Sequence, residues 1–179
     1  MKVLLFLARG IDWVTHKTGW MAAVAVMASC FISAGNALVL FLFSNSSNAW
    51  LEIQWYLFAV CVMLGAAHVL KVNEHVRVDI FYGRLSGRGK VIIDLFGLVF
   101  FLMPVMGVMT WLSWPYFHGM WVSGEMSGNA GGLVRWPAVL TLPVGFALMM
   151  LQGVSEIIKR IGWLLGQWDM DTHYERPLQ

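Results

Sequence analysis

Four uncharged stretches dominate this chain, residues 20–43, 53–70, 95–114 and 136–155, which hold 24, 18, 20 and 20 residues. Each is close to the ~20 apolar residues an α-helix needs to cross the hydrocarbon core of a bilayer. Inside that core the backbone must satisfy its own hydrogen bonds, and an uninterrupted apolar run of this length does so as a helix. Composition agrees, since 59% of the 179 residues are hydrophobic and 12% are charged, about half the ~25% charge of a soluble domain. The chain therefore reads as an all-α integral membrane protein with four transmembrane helices, over about 20–43, 51–71, 91–114 and 136–158. No remaining loop or tail is long enough for a second domain, so any binding takes place within or against the membrane.

Basic residues fall on one side of these spans. Lys2, Arg9 and Lys17 precede the first; Lys71, Arg77, Arg84, Arg88 and Lys90 lie between the second and third; Lys159, Arg160 and Arg176 follow the fourth. Only Arg135 lies on the other side, and the positive-inside rule thus predicts both termini and the middle loop in the cytoplasm, N-in/C-in. Tryptophan supplies a second signal. Trp50, Trp55, Trp111, Trp114, Trp121 and Trp136 gather near the outer ends and Trp13, Trp20, Trp163 and Trp168 near the inner ends, as interfacial aromatic belts do.

Residues 1–19 form a cytoplasmic segment in which Val3, Leu4, Leu7, Ile11 and Val14 recur at helical spacing against Lys2, Arg9, Asp12, His16 and Lys17. That pattern predicts a separate N-terminal amphipathic helix lying on the inner membrane surface, the alternative being a short frayed leader. Arg9 and Asp12 interrupt the apolar stretch too early for a signal-peptide core, so no cleavage is expected. Residues 161–179 are expected to be a cytoplasmic tail, disordered from Asp169 onward.

Within the spans, Ala22, Ala25, Ser29, Ser33 and Asn36 share one helical face, a small and weakly polar stripe suited to close helix packing. For Asn36 two roles are open, a hydrogen bond across that contact or a place on a substrate path. Pro104, with Gly97 and Gly107, predicts a kink in the third span. Charges sit at span edges. Lys90 with Asp94, and Glu156 with Arg160, stand at (i, i+4) and are expected to pair locally. Glu52, beside Gln54 at the outer start of span two, is open between an edge anchor and a partner contact. A carboxylate that couples ion flow to transport belongs near the midplane, and no span carries one there.

Other chemistries find no support. His68 is the one histidine inside a span, which does not make the facing pair of a transmembrane haem. Cys30 and Cys61 are separate, giving neither a zinc ligand set nor a disulfide framework. No cofactor, metal or catalytic residue is expected, and the chain does not read as an enzyme. Residues 83–90, Gly-Arg-Leu-Ser-Gly-Arg-Gly-Lys, miss the spacing and the final hydroxyl of a phosphate-binding loop. Arg84, Arg88 and Lys90, pinned between two helix ends, are expected to anchor on lipid headgroups rather than bind nucleic acid.

The most informative stretch is residues 73–82, where His75, Arg77 and Asp79 alternate with Val76, Val78 and Ile80. Period-two alternation predicts an extended entry with one apolar side and one charged side. Leu64-Gly65-Ala66-Ala67, leading through Lys71 to His75-Val76-Arg77-Val78-Asp79 and Tyr82, resembles the small membrane subunit of tripartite ATP-independent periplasmic (TRAP) transporters. The outer loop from Ser123-Gly124-Glu125-Met126-Ser127 to Trp136-Pro137 resembles it as well. The resemblance implies an accessory subunit in the bacterial cytoplasmic membrane. Its partners would be membrane lipids, a large TRAP membrane subunit that holds the transport and sodium sites, and a periplasmic solute-binding protein that captures an organic acid or related small solute. Ser29, Asn36, Glu52, His75, Arg77, Asp79 and Tyr82 are then the expected subunit-interface or structural residues, with His75, Arg77 and Asp79 as a cytoplasmic clamp. A self-sufficient small oligomeric transporter and a membrane anchor of a redox enzyme are the alternatives.

Overall fold

The computed structural model describes residues 2–73 and 85–169. Over these the chain forms α1 (Lys2–Phe43), α2 (Asn48–Val72), α3 (Gly87–Gly97), α4 (Met103–Ser123) and α5 (Trp136–Leu164). A π-helical turn, Leu98–Leu102, joins α3 to α4, so that Gly87–Ser123 is one rod. The four rods are long and apolar enough to cross a membrane, as expected in number. Among the described residues there is no strand, only an isolated bridge between Met126 and Val134.

The first helix departs from expectation. Residues 2–19 are helical, but they do not form a separate surface helix, because α1 runs unbroken for 42 residues, about 63 Å at ~1.5 Å per residue. Two contacts remove the reason for a break. Gly19 lies against α2, where a Cβ would stand 2.5 Å from the His68 ring, and Ala8 and Thr15 are buried. The packed stripe is Ala8 and Thr15, beside the apolar row, of which Val3, Leu4, Leu7 and Val14 stay exposed.

The kink expected at Pro104 takes the form of the π turn. Proline has no N–H to give to the carbonyl four residues back, and its ring crowds that carbonyl. The ladder widens just upstream, with the Met103 N–H bonded to the Leu98 carbonyl five residues earlier, the mark of a π bulge.

α5 is the hub, packing against α1, α2, α3, the π turn and α4. Its glycines admit two of these neighbours closely. A Cβ on Gly145 would come within 2.7 Å of Met63 on α2, and one on Gly153 within 2.7 Å of Leu102 in the π turn, the small-residue contact that membrane helices use in place of a hydrophobic drive. α1 meets α2 in the same way. Ala22 and Ala25 are buried, Ala22 faces Gly65, and Ser29 Oγ donates to the Gln54 carbonyl at 3.4 Å. The stripe then leaves the bundle, for Ser33 is exposed and Asn36 only half-buried.

Candidate functional site: two polar assemblies at the ends of the bundle

At the end where α1 begins and α5 ends, buried polar groups join three helices. On α5, Gln152, Ser155, Glu156, Lys159 and Arg160 are all buried; steps of three and four residues place Gln152, Ser155, Glu156 and Lys159 on one side of the helix. Asp12 of α1 is their counterpart. Its carboxylate accepts from Gln152 Nε2 at 2.9 Å, from Ser155 Oγ at 2.8 Å and from Lys159 Nζ at 3.2 Å. Thr15, one turn on, donates to Gln152 Oε1 at 2.7 Å, and Ser155 Oγ also reaches the Ala8 carbonyl at 3.2 Å. Glu156 accepts from Gln152 at 3.0 Å and pairs with both Lys159 and Arg160. Arg160 continues to α3, where it meets Asp94 at 3.1 Å.

This arrangement adds to both expected local pairings. Asp94, the expected neighbour of Lys90 on its own helix, also receives Arg160 from α5. Glu156 does pair with Arg160, but as part of a buried network rather than as a solvated edge anchor. Carboxylates and cations withdrawn from water are tolerated only when each is matched by charge and hydrogen bonds, and here each carboxylate has more than one donor. Chemically the cluster is a tie: it fixes α1, α3 and α5 at one end of the bundle.

At the other end, one carboxylate organises a loop. Residues 124–135 turn back on themselves through the Met126–Val134 bridge, with Ser127 N–H on the Leu133 carbonyl at 2.9 Å and Arg135 N–H on the Glu125 carbonyl at 3.0 Å. Gly124 and Gly131 adopt positive φ, +61° and +71°, a region that glycine enters without steric cost. Beneath the loop Glu52, 2% exposed, accepts from Ser127 Oγ, from Asn129 Nδ2 at 2.9 Å and from the Leu133 N–H at 2.6 Å. Its neighbours on the same stripe of α2 add two more ties. Asn48 Nδ2 donates to the Ala130 carbonyl at 2.9 Å and Tyr56 OH to the Val134 carbonyl at 2.8 Å. Gly132 must stay bare, because a Cβ would fall 2.6 Å from Ser127 and 2.9 Å from Glu52.

The expected interface residues are therefore divided. Ser29 packs on α2, Asn36 stands in a groove on the exposed side of α1, and Glu52 meets the loop of residues 124–135 of its own chain. Arg88 is exposed and Lys90 half-buried in the first turn of α3. His75, Arg77, Asp79, Tyr82 and Arg84 lie outside the described residues. Sequence reasoning missed Asp12, Thr15, Gln152, Ser155 and Lys159 as one network. The signal was present in the register of Ala8, Asp12 and Thr15 on α1 against the polar stripe on α5. His16 lies on α1, its ring 5.8 Å from that of His68. Among the described residues no group of three or more His, Cys, Asp or Glu could hold a metal ion.

Comparison with curated proteins and with solved structures finds no match. A family model does match, over residues 30–162, well over half of the chain, and its description is that of the tripartite ATP-independent periplasmic transporters, DctQ component. The matched stretch contains Glu52 and its loop and the α3 and α5 arms of the buried network, while Asp12 and Thr15 precede it. With its four membrane-length helices, the chain is a multi-pass membrane protein and belongs to the DctQ family, the small membrane component of TRAP transporters.

Proposed function

We propose that this chain is the scaffold subunit of a sodium-coupled TRAP importer in the bacterial cytoplasmic membrane. It pairs with a large membrane subunit, which carries the transport and sodium sites and receives an organic acid or related small solute from a periplasmic binding protein. Both termini face the cytoplasm. His75, Arg77, Asp79 and Tyr82 contribute to the pairing on that side, and Arg84, Arg88 and Lys90 hold the middle loop to lipid headgroups.

Beyond the family match, one observation carries the division of labour. Each carboxylate in the described helices, Asp12, Glu52, Asp94 and Glu156, is engaged by donors of this same chain. A carboxylate that couples ion flow to transport must exchange partners during the cycle and lies near the midplane. These four instead tie helix to helix or helix to loop near the ends of the rods, which is what a static scaffold requires. The test is uptake in liposomes with an inward sodium gradient and the loaded binding protein outside. The chain alone should give no uptake, and the chain with its large subunit should give sodium-dependent uptake. Accumulation by the chain alone would overturn the scaffold reading.

A further inference from the structure

We propose that the outward face of α1, centred on Gly35 and Asn36, is the seat of a transmembrane helix of the large membrane subunit. The inference rests on the pairing proposed above and says where on this chain it occurs. Of the four rods α1 is the least covered, since no residue of its most apolar 18-residue stretch is buried, whereas a third of the corresponding stretch of α5 is. The uncovered face is a groove. One cavity of about 480 Å³ is bordered by Phe31, Gly35, Asn36 and Val39 of α1, by Trp50 and, at its end, by the polar turn of residues 45–47. A second, of about 390 Å³, lies further along α1 between Ala23, Met27 and Phe31. Ala23, Met27, Phe31, Gly35 and Val39 follow one another at intervals of four. Such a row is the ridge along which one helix receives the side chains of another.

Two features favour a protein helix over lipid in this groove. Gly35 has no atom of this chain within 4 Å of where its Cβ would be. A glycine that serves no internal contact in the middle of a helix weakens that helix, and in a membrane its use is to let a second backbone approach. Asn36, half-buried beside it, has no hydrogen-bond partner among the described residues. Acyl chains offer its amide neither donor nor acceptor, and a facing helix with one polar group at that level offers both. The face carries no ionisable side chain between Ala23 and Val39, so its complement is an apolar helix with a single polar residue. Membership of a tripartite transporter makes the large subunit the candidate for that helix, ahead of a second copy of this chain.

The test is photo-crosslinking in native membranes that also contain the tagged large subunit. A benzophenone amino acid is placed at Val39 in the groove or, as control, at Trp111 on the exposed side of α4. The result expected is an adduct with the large subunit from position 39 and little or none from position 111. The reverse pattern, an adduct with a second copy of this chain, or only lipid adducts from position 39 would each overturn the assignment of this groove while the complex still co-purifies. Absence of co-purification together with absence of any large-subunit adduct would overturn the pairing itself. A second variant keeps folding separate. Gly35→Leu meets open space within the chain, so the isolated protein should melt as the parent does while recovery of the large subunit falls at least ~10-fold; undiminished recovery would overturn the proposal.

Discussion

A carboxylate near the start of α2 collects three donors from a single loop, Ser127, Asn129 and the Leu133 backbone, and it does so in a position that sequence marks only as a span edge. The partners lie 75 to 81 residues away, and none is charged. Hydroxyl, amide and backbone donors leave no charge pattern to read, so the choice between edge anchor and partner contact could not be made from sequence, and the partner proves to be internal. The site also predicts a specific sensitivity. Glu52→Gln keeps the size of the side chain but turns one acceptor into a donor facing other donors, which leaves buried polar groups unmatched. Residues 124–135 should then loosen without loss of the helices. Trypsin added to the side of the membrane that carries this loop should cut after the exposed Arg135 several-fold faster than in the parent, and an unchanged rate would show that the bridge holds without Glu52.

Among the elements, α5 shows how one visible pattern can have two causes. The positive-inside rule accounts for Lys159 and Arg160, and helical spacing gives Arg160 a partner in Glu156, but neither names a partner on another helix, although Gln152, Ser155, Glu156 and Lys159 lie at helical spacing on one side. The missing half was Asp12, hidden in a segment whose charge alternation suits a surface helix equally well. Burial discriminates between these readings, and burial depends on the packing of α1 against α5. Lys159→Met should therefore be costly. It leaves Asp12 and Glu156 without a shared cation in a closed environment, a loss of about 3–5 kcal/mol for a broken buried pair. Lys2→Met, at an exposed position, should cost no more than ~1 kcal/mol. Thermal melting in detergent separates the two. Equal melting temperatures would mean that the network is solvated in the membrane.

For the whole molecule, the number of spans was legible because it depends only on apolar length, and the bilayer enforces that length on every rod. The arrangement of the rods around α5 was not, since its determinants are bare glycines such as Gly145 and Gly153 whose partners no single-sequence pattern names. Orientation has its own test. A cysteine in place of Ser46, in the turn between α1 and α2, should react with a membrane-impermeant maleimide from the periplasmic side of intact cells, and one in place of Arg88 should react only after permeabilisation, both with Cys30 and Cys61 removed. The reverse result would invert the topology. The unbroken α1 has a further consequence for anything attached to it. If residues 20–43 fill the bilayer, the 18 residues before them add about 27 Å of helix, and that length is moored to α5 through Asp12, Thr15 and the Ala8 carbonyl. The first turn of α1 is thus a stiff handle rather than a loose leash, and cargo fused there inherits the attitude of the whole bundle.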